Sequence, residues 1–248
     1  MPSSVNKPER RIFLQRSLAV VPAAALPAAA GLAGCDTAPP RVTGGAAAPK
    51  GAAGRLSQHQ ARSFNKQEWR FVIAACARLI PDDDDGPGAL GCGVPVFIDR
   101  QLDGPYGYAA NWYMQGPFHQ GAPEFGYQGR ATPRELYHAG IAAVDALCLQ
   151  RHAKAFAELE PAQQDETLQQ LEDGNLQAEG VDLKTFFKLL SDDTRYGFLA
   201  DPIHGGNRDM AAWKMIGFPG ARADFLEWTT RHGQAYPLGP VSIAGQRG

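Results

Sequence analysis

The chain lacks the short motifs that mark most catalytic and cofactor sites. Its 6 histidines show no His-Glu-x-x-His or other zinc spacing. No Gly-x-Gly-x-x-Gly follows a strand pattern, and no phosphate-binding loop or Gly-x-Ser-x-Gly elbow occurs. The absence of Cys-x-x-Cys excludes a thioredoxin-like motif and a c-type haem attachment site in this chain. We therefore expect no catalytic, cofactor-binding or metal-ligating residue here.

Strong charge of one sign and long hydrophobic runs are also missing. The formal net charge is −2 over 248 residues, so no basic field favours nucleic acid as a partner. The alanine-rich stretch near the N-terminus is too short for a lasting transmembrane span. Almost no segment alternates apolar and polar residues as a strand does. The sequence predicts an all-α fold: a small helical domain with long ordered loops rich in glycine, proline and aromatic residues.

Five helices are predicted from start signals and apolar spacing. Ser, Thr, Asn or Asp caps, a glutamate three residues later and a proline at the first position are typical helix starts. The predicted helices begin at Asn65, near Val94, at Thr132, at Pro161 and at Asp182, and the first, third and fourth end at Pro81, about Arg151 and Gly174.

A stretch of aromatic residues spans 104–130 without a helical or strand period. Seven tyrosine, tryptophan and phenylalanine residues, among them Trp112 and Tyr113, are spread among glycines and prolines. So many aromatic side chains favour burial. We expect this segment to pack on its own domain or on another protein.

The first 35 residues carry two targeting signals. Arg10-Arg11 followed by Phe13-Leu14 is typical of a twin-arginine export signal, which carries folded proteins. A plain basic leader sequence is the alternative.

Leu-Ala-Gly-Cys at residues 32–35 has the pattern of a lipobox, in which Cys35 is lipidated. Lipid chains would anchor the protein to a membrane. The alternative is cleavage by an ordinary signal peptidase near Ala28–Ala30. We expect a periplasmic protein anchored to the inner membrane as a lipoprotein.

Composition predicts four regions. Residues 1–34 form the signal peptide with its lipobox, and residues 35–62, rich in Ala, Gly, Pro and Ser, form a flexible linker. Residues 63–236 form the helical domain and residues 237–248 a C-terminal tail.

Three cysteines remain besides Cys35. In an oxidising compartment, Cys76, Cys92 and Cys148 could give one disulfide and one spare thiol that bonds a partner chain. The alternative is three buried thiols.

Two groups of acidic residues are candidate metal sites. The run Asp82–Asp85 lacks the alternating ligands and terminal glutamate of an EF-hand loop, which favours a solvated loop. His204 with Asp201 and Asp209 is a weaker candidate than loop-shaping hydrogen bonds.

The densest motif is Asp201-Pro-Ile-His-Gly-Gly-Asn-Arg-Asp209, followed by Trp213-Lys-Met-Ile-Gly-Phe-Pro-Gly-Ala221. Gly205 and Gly206 permit backbone angles that other residues avoid, and Asn207 can bond to the neighbouring backbone. Trp213 and Phe218 are expected to fix this loop to an apolar surface. The motif indicates a well-ordered loop, structural or binding.

This motif resembles the small (gamma) subunit, or subunit 3, of membrane-bound gluconate 2-dehydrogenase. Further pieces agree, among them Ala77–Pro81, Val96–Asp99, Phe156–Leu159 and Phe186-Phe187. The resemblance covers roughly residues 64–221. It implies a non-catalytic subunit of an oxidoreductase complex acting on CH–OH groups with an acceptor other than NAD.

The resemblance also implies the partners. They are a large FAD-dependent (GMC-type) dehydrogenase subunit, a multihaem cytochrome c subunit with its c-type haem, and the twin-arginine translocase. The small subunit would escort the flavoprotein through export and support its folding. An independent ligand-binding periplasmic lipoprotein is the alternative.

Partner binding is assigned on this basis to two groups of residues. One is the aromatic stretch at 104–130, here called the aromatic loop, with Trp112 and Tyr113. The other is the motif that begins at Asp201, here called the glycine-rich motif. The alternative is that both groups only order their own loops. Some members of the family are linked to the flavoprotein by a disulfide, for which Cys148 is the favoured residue here. The motif residues are Gly205, Gly206, Asn207, Arg208 and Trp213.

Overall fold

The computed structural model describes residue 56 and residues 58–119 and 121–248. The predicted twin-arginine signal, the lipobox with Cys35 and most of the predicted linker lie outside these residues. Within them the chain forms helices and no strand, which confirms the all-α prediction. The helices are α1 (Lys66–Leu79), α2 (Val94–Asp103), α3 (Pro133–His152), α4 (Pro161–Glu172), α5 (Leu183–Leu199) and α6 (Ala211–Ile216).

The helix starts follow from the capping residues. Asn65 Oδ1 accepts hydrogen bonds from the amides of Gln67 and Glu68 at 2.9 and 3.0 Å. The Glu68 carboxylate accepts in return from the Asn65 amide at 2.8 Å. Thr132 and Glu135 make the same reciprocal pair at the start of α3. Each such cap stabilises its helix by about 1 kcal/mol.

The core is built around α5, which packs against α1, α2, α3, α4 and α6. Phe186 on α5 is fully buried between Phe71 and Tyr137, with ring centroids 6.2 and 5.7 Å away. Glycines permit the close helix contacts. A Cβ at Gly140 would lie 2.3 Å from the Phe186 ring, and one at Gly197 would lie 2.7 Å from the ring of Phe97.

A buried aspartate binds the segment that leads into α1. Asp99 on α2 has no exposed surface. Its carboxylate accepts from the amides of Arg62 and Ser63 at 3.0 and 2.9 Å, and it contacts His59 Nε2 at 2.8 Å. Residues 59–62 fall in the segment predicted as linker, and in the structure they are fixed to α2.

The C-terminal segment returns to the domain. Val241 donates its amide to Pro219 O at 3.2 Å and accepts from the Ala221 amide at 2.7 Å. The Ile243 amide donates to Asp201 Oδ2 at 2.7 Å. Ser242 is buried. Part of the predicted tail is therefore bound to the glycine-rich motif.

Among the described residues, no helix is both long and apolar enough to cross a membrane.

Candidate functional site

The glycine-rich motif joins the end of α5 to α6 through Asn207. Its amide donates to Gly197 O, its Nδ2 donates to Ala200 O, and its Oδ1 accepts from the Ala212 amide, each at 2.9 Å. The side chain is fully buried. Asn207 therefore satisfies backbone groups at two helix ends that would otherwise be unpaired in the interior.

Close packing surrounds this asparagine. A Cβ at Gly206 would lie 2.0 Å from Gly197 O, so only glycine fits. The Trp213 indole donates to Leu199 O at 2.8 Å and is buried. Phe218 contacts the Trp213 ring edge-on at a centroid distance of 5.1 Å. The motif thus orders the domain itself.

Three non-glycine positions within and directly after the motif carry backbone strain. Asn207, Asp209 and Met210 have φ values of 40°, 57° and 53°. Such angles cost on the order of 1 kcal/mol each and persist only where the surroundings enforce them. Here the hydrogen bonds of Asn207 and the buried side chain of Met210 do so.

The residues assigned to partner binding therefore separate into three sets. Gly206, Asn207 and Trp213 are buried and cannot contact a partner directly. Trp112 and Tyr113 are exposed at 37% and 83%. The remaining two, Gly205 and Arg208, are partly exposed.

The cysteines are buried in the domain. Cys76 and Cys148 are thiols in the structure, and the Cys92 sulfur lies 3.7 Å from Pro87 O. Burial raises the pKa of Cys76 to about 12 and that of Cys148 to about 11. A high thiol pKa disfavours the reactive thiolate. A disulfide from any of these cysteines to a partner chain would require the packing around that sulfur to open.

The aromatic loop is fixed to the start of α3. The Arg134 amide donates to Gly107 O at 3.0 Å, and its guanidinium donates to the Tyr108 hydroxyl at 2.8 Å. The Tyr127 hydroxyl donates to Ala131 O at 2.7 Å. The predicted packing of this segment on its own domain is confirmed for Tyr106, Trp112 and Tyr127, which line a cavity against α5.

This cavity, the aromatic cleft, has a volume of about 540 Å³. The rings of Tyr106 and Trp112 lie 6.1 Å apart at 80°, and those of Trp112 and Tyr127 lie 5.6 Å apart at 56°. The opposite wall is the partly exposed side of α5, with Leu189 and Tyr196. One wall is therefore aromatic, and the other carries both apolar and polar side chains.

A buried acid lies at the floor of the aromatic cleft. Asp193 is 3% exposed. The Tyr106 hydroxyl donates to its two oxygens at 2.9 and 3.1 Å, and the Tyr137 hydroxyl donates to Oδ2 at 3.0 Å. Burial raises the pKa of Asp193 to about 7, although the two tyrosine hydrogen bonds lower it. Burial also raises the pKa values of Tyr106 and Tyr137, with a further contribution from Asp193.

Sequence reasoning missed Asp193, although its position carried a signal. It follows Phe186 by seven residues and Leu190 by three, so it lies on the buried face of α5. A carboxylate on such a face needs hydrogen-bond donors, which the two tyrosines supply.

A second cleft of about 640 Å³ lies between α2 and the end of α5. Phe97 and Leu199 give it apolar walls, and Arg195 and His204 line its polar part. Tyr196 lines both clefts. Tyr196, Leu199 and Ile203 are 62%, 43% and 54% exposed.

Arginines lie close to the second cleft. Arg195 on its wall is paired with Asp192. The guanidinium of Arg100 packs on Gly205, where an added Cβ would be 2.8 Å from Nη1. The guanidinium of Arg208 packs on Gly93, where an added Cβ would be 3.0 Å from Nη2. In the described part of the chain, no acidic side chain lies within ion-pair distance of Arg100 or Arg208. Within the described residues, neither guanidinium is therefore held in a direct ion pair.

The aspartates in the two candidate metal sites accept hydrogen bonds from backbone amides of the chain. Asp201 accepts the Ile203 amide at 3.0 Å and the Ile243 amide at 2.7 Å. Asp83 accepts the Asp85 amide at 3.0 Å within a turn. Over the residues that the structure describes, no group of three or more His, Cys, Asp and Glu side chains is placed to hold a metal ion.

Comparison with protein families gives one result. A family model described as gluconate 2-dehydrogenase subunit 3 matches residues 66–220, which is more than half of the chain. The match runs from the first residue of α1 through the glycine-rich motif. Searches of curated proteins and of solved structures return no significant match.

Proposed function

The chain belongs to the gluconate 2-dehydrogenase subunit 3 family, and on that premise we propose that it is the non-catalytic small subunit of a membrane-associated, periplasmic dehydrogenase complex. The large subunit of that complex would be an FAD-dependent (GMC-type) sugar or sugar-acid dehydrogenase. A multihaem cytochrome c subunit would carry the electrons onward. FAD and haem would belong to these partners.

The observation that carries this proposal is an exposed apolar surface at the end of α5. Tyr196 and Leu199 project from the last turns of α5, and Ile203 follows directly. Large apolar side chains grouped in this way mark protein interaction sites more often than free surface. We call Tyr196, Leu199 and Ile203 the docking face.

Charge supports a specific kind of partner surface. Arg100 on α2 packs on Gly205, and Arg208 of the glycine-rich motif packs on Gly93, close to the docking face. Arginine forms bidentate hydrogen bonds with carboxylates and keeps its charge when it is partly desolvated. The docking face would therefore receive an apolar segment of the large subunit flanked by acidic side chains.

The buried motif explains how this face is held in shape. Asn207 fixes the chain at the end of α5, and Trp213 binds Leu199 O from the other side. A rigid surface loses little conformational entropy on binding. The family motif would thus act on the partner through the shape of the docking face.

Export is the second part of the proposed role. The predicted twin-arginine signal at Arg10 and Arg11 would carry the large subunit out of the cytoplasm with the folded small subunit. Lipidation at Cys35 would then hold the complex at the inner membrane.

Purification of a C-terminally tagged chain from its native membranes tests the proposal. We expect a flavoprotein to co-purify, with its absorption spectrum, and haem bands where the cytochrome is retained. A colourless chain alone in mild detergent would contradict the subunit role. Deleting the small subunit should leave the flavoprotein in the cytoplasm, and a flavoprotein that still reached the periplasm would contradict the escort role.

Paired surface variants test the docking face. Leu199→Asp and Tyr196→Asp should abolish co-purification because a buried unpaired carboxylate costs several kcal/mol at an interface. Leu149→Asp is the matched control, since Leu149 on α3 is similarly exposed at 51% and lines neither cleft. Equal loss with all three variants would place the contact elsewhere.

A second candidate function rests on the aromatic cleft. Its volume suits a small ligand, which would favour an independent ligand-binding lipoprotein. The same purification separates the two, because that protein would be recovered alone and would bind a ligand saturably.

A further inference from the structure

One buried carboxylate connects the docking face to the C-terminal segment of the chain. Asp201 Oδ1 accepts the Ile203 amide at 3.0 Å, and Asp201 Oδ2 accepts the Ile243 amide at 2.7 Å. Asp201 is buried, and each of its two oxygens binds one of these amides. The backbones of Ile203 and Ile243, which are 40 residues apart in the sequence, are therefore held side by side.

A tight turn presents Ile243 to solvent. The Gly245 amide donates to Ser242 O at 2.9 Å, so Ile243 and Ala244 are the central residues of a β-turn. Ser242 is buried, and its hydroxyl oxygen accepts from the Gln246 amide at 3.0 Å. Ile243 itself is 66% exposed. The turn is thus fixed to the domain while its isoleucine side chain faces water.

Isoleucine is an unusual residue for the centre of an exposed turn. Turns favour Gly, Pro, Asn, Asp and Ser, each for a conformational or hydrogen-bonding reason that isoleucine does not share. A single exposed apolar side chain needs no explanation, but a group of them marks an interaction site. Ile243 is held beside Ile203, which already belongs to such a group.

The backbone on both sides of this pair is rigid. Val241, next to the turn, donates its amide to Pro219 O at 3.2 Å and accepts from the Ala221 amide at 2.7 Å. On the other side, the Asn207 amide group holds Ala200 O at 2.9 Å. A surface that is ordered before binding loses little conformational entropy when a partner covers it. The two isoleucines are therefore suited to docking.

We propose that Ile243 is a fourth member of the docking face and contacts the same apolar segment of the large dehydrogenase subunit as Ile203. This inference rests on the proposed function, because it takes the large subunit as the partner. Asp201 is then a positioning residue, since it fixes the turn to the glycine-rich motif and is itself buried.

Continuity with the docking face favours the large subunit as the occupant. A protein seated on Leu199 and Ile203 would also reach Ile243, because Asp201 holds the two isoleucines together. The family match ends at residue 220, so this contact lies outside the part of the chain that the family model covers. A second copy of this chain and a lipid surface are the other occupants that the test must distinguish.

Photocrosslinking in the native host tests the contact directly. The amino acid p-benzoylphenylalanine replaces Ile243 in the full-length tagged chain, and the irradiated membranes are purified on the tag under denaturing conditions. We expect a crosslinked product whose peptides, identified by mass spectrometry, come from an FAD-dependent dehydrogenase. The matched control carries the same probe in place of Leu226, which is 74% exposed in the same C-terminal segment. This control should give none of that product.

Acidic substitution measures how much the contact contributes to binding. Ile243→Asp should lower the flavoprotein recovered per tagged chain at least about tenfold, because an unpaired carboxylate would be buried at the interface. Leu226→Asp should leave the recovery unchanged. Circular dichroism and urea denaturation check that both variants are folded.

The positioning role of Asp201 has its own readout. In Asp201→Asn the remaining oxygen can accept the Ile203 amide two residues along, but the new NH₂ group cannot accept the Ile243 amide. The crosslink from position 243 should be lost, whereas a crosslink from the same probe at position 199 should persist. A general loss of stability would lower both.

The outcomes separate this inference from the proposed function. A flavoprotein that co-purifies but gives no crosslink from position 243 would overturn the inference and leave the proposed function intact. Crosslinking of position 243 to a second copy of this chain or to lipid would do the same, and so would equal recovery with Ile243→Asp and Leu226→Asp. If the unsubstituted chain is recovered without a flavoprotein, the proposed function is contradicted and this inference fails with it.

Discussion

Asp193 makes the stability of the domain depend on pH in a direction opposite to that of most aspartates. Its pKa rises from an ordinary 3.8 to about 7 because burial disfavours the charged form. Between these values the folded chain holds a proton that the unfolded chain has released. Stability therefore falls as pH rises from about 4 to about 7. Below that window both states are protonated, and above it both are ionised.

The size of the effect follows from the width of the window. A difference of about three pH units, at about 1.4 kcal/mol per unit, corresponds to about 4 kcal/mol. Asp193 is 3% exposed, so solvent screens little of this contribution to stability. This is a large part of the 5–15 kcal/mol, roughly, that stabilises an ordinary domain.

The test compares the original chain with Asp193→Asn. Asparagine cannot ionise, and its Oδ1 still accepts from Tyr106 or Tyr137. We expect the free energy of unfolding of Asp193→Asn, relative to that of the original chain, to rise by about 4 kcal/mol as pH rises through the window. Urea denaturation at closely spaced pH values between 4 and 8 gives both curves. A difference between the two that stays constant over this range would refute the reasoning.

Removal of a single donor should move the transition. Tyr137 lowers the pKa of Asp193 through its hydrogen bond. Tyr137→Phe should therefore raise that pKa further, so that the loss of stability still begins near pH 4 but continues to a higher pH. Tyr113→Phe, on an exposed ring, should leave the profile unchanged.

Three other changes test the elements that hold the domain together. Asn207→Ala should destabilise it by about 2–4 kcal/mol, measured by urea denaturation, because two buried side-chain hydrogen bonds are lost at a strained φ. Gly206→Ala should cost at least about 3 kcal/mol through overlap with a carbonyl, whereas Gly217→Ala, with open space but positive φ, should cost about 1 kcal/mol. Asp99→Ala should free residues 59–63 and create a protease-sensitive site there; a cleavage pattern identical to that of the original chain would contradict the role of Asp99.

The starts of the helices could be predicted from the sequence where they depend on contacts between neighbouring residues. The capping boxes at Asn65 and Thr132 place the starts of α1 and α3, because the bonds involved span three residues. The helix α6 was missed. It has six residues and follows Asp209 and Met210, whose left-handed backbone angles depend on contacts with distant parts of the chain. Local sequence carries no record of such contacts.

The clefts were harder to foresee for a related reason. The aromatic loop was expected to pack, but its partner is the floor at Asp193, which lies about 80 residues farther along the chain. Hydrogen bonds from Tyr106 and Tyr137 bring the two together. The period of α5 places Asp193 inward, yet only the fold supplies the two hydroxyls.

In the proposed function, the buried part of the motif that carries the family resemblance would act indirectly. Asn207 and Trp213 bind backbone carbonyls at the end of α5, and Gly206 packs directly against Gly197 O. Of the side chains proposed to meet a partner, Tyr196 and Leu199 stand outside that motif, whereas Ile203 and Arg208 are its exposed or partly exposed members. Substitutions of the buried motif residues should therefore lower stability and co-purification together. Substitutions on the docking face should lower co-purification alone. A variant of Gly206, Asn207 or Trp213 that unfolds no more easily than the original chain but loses its partner would contradict this division.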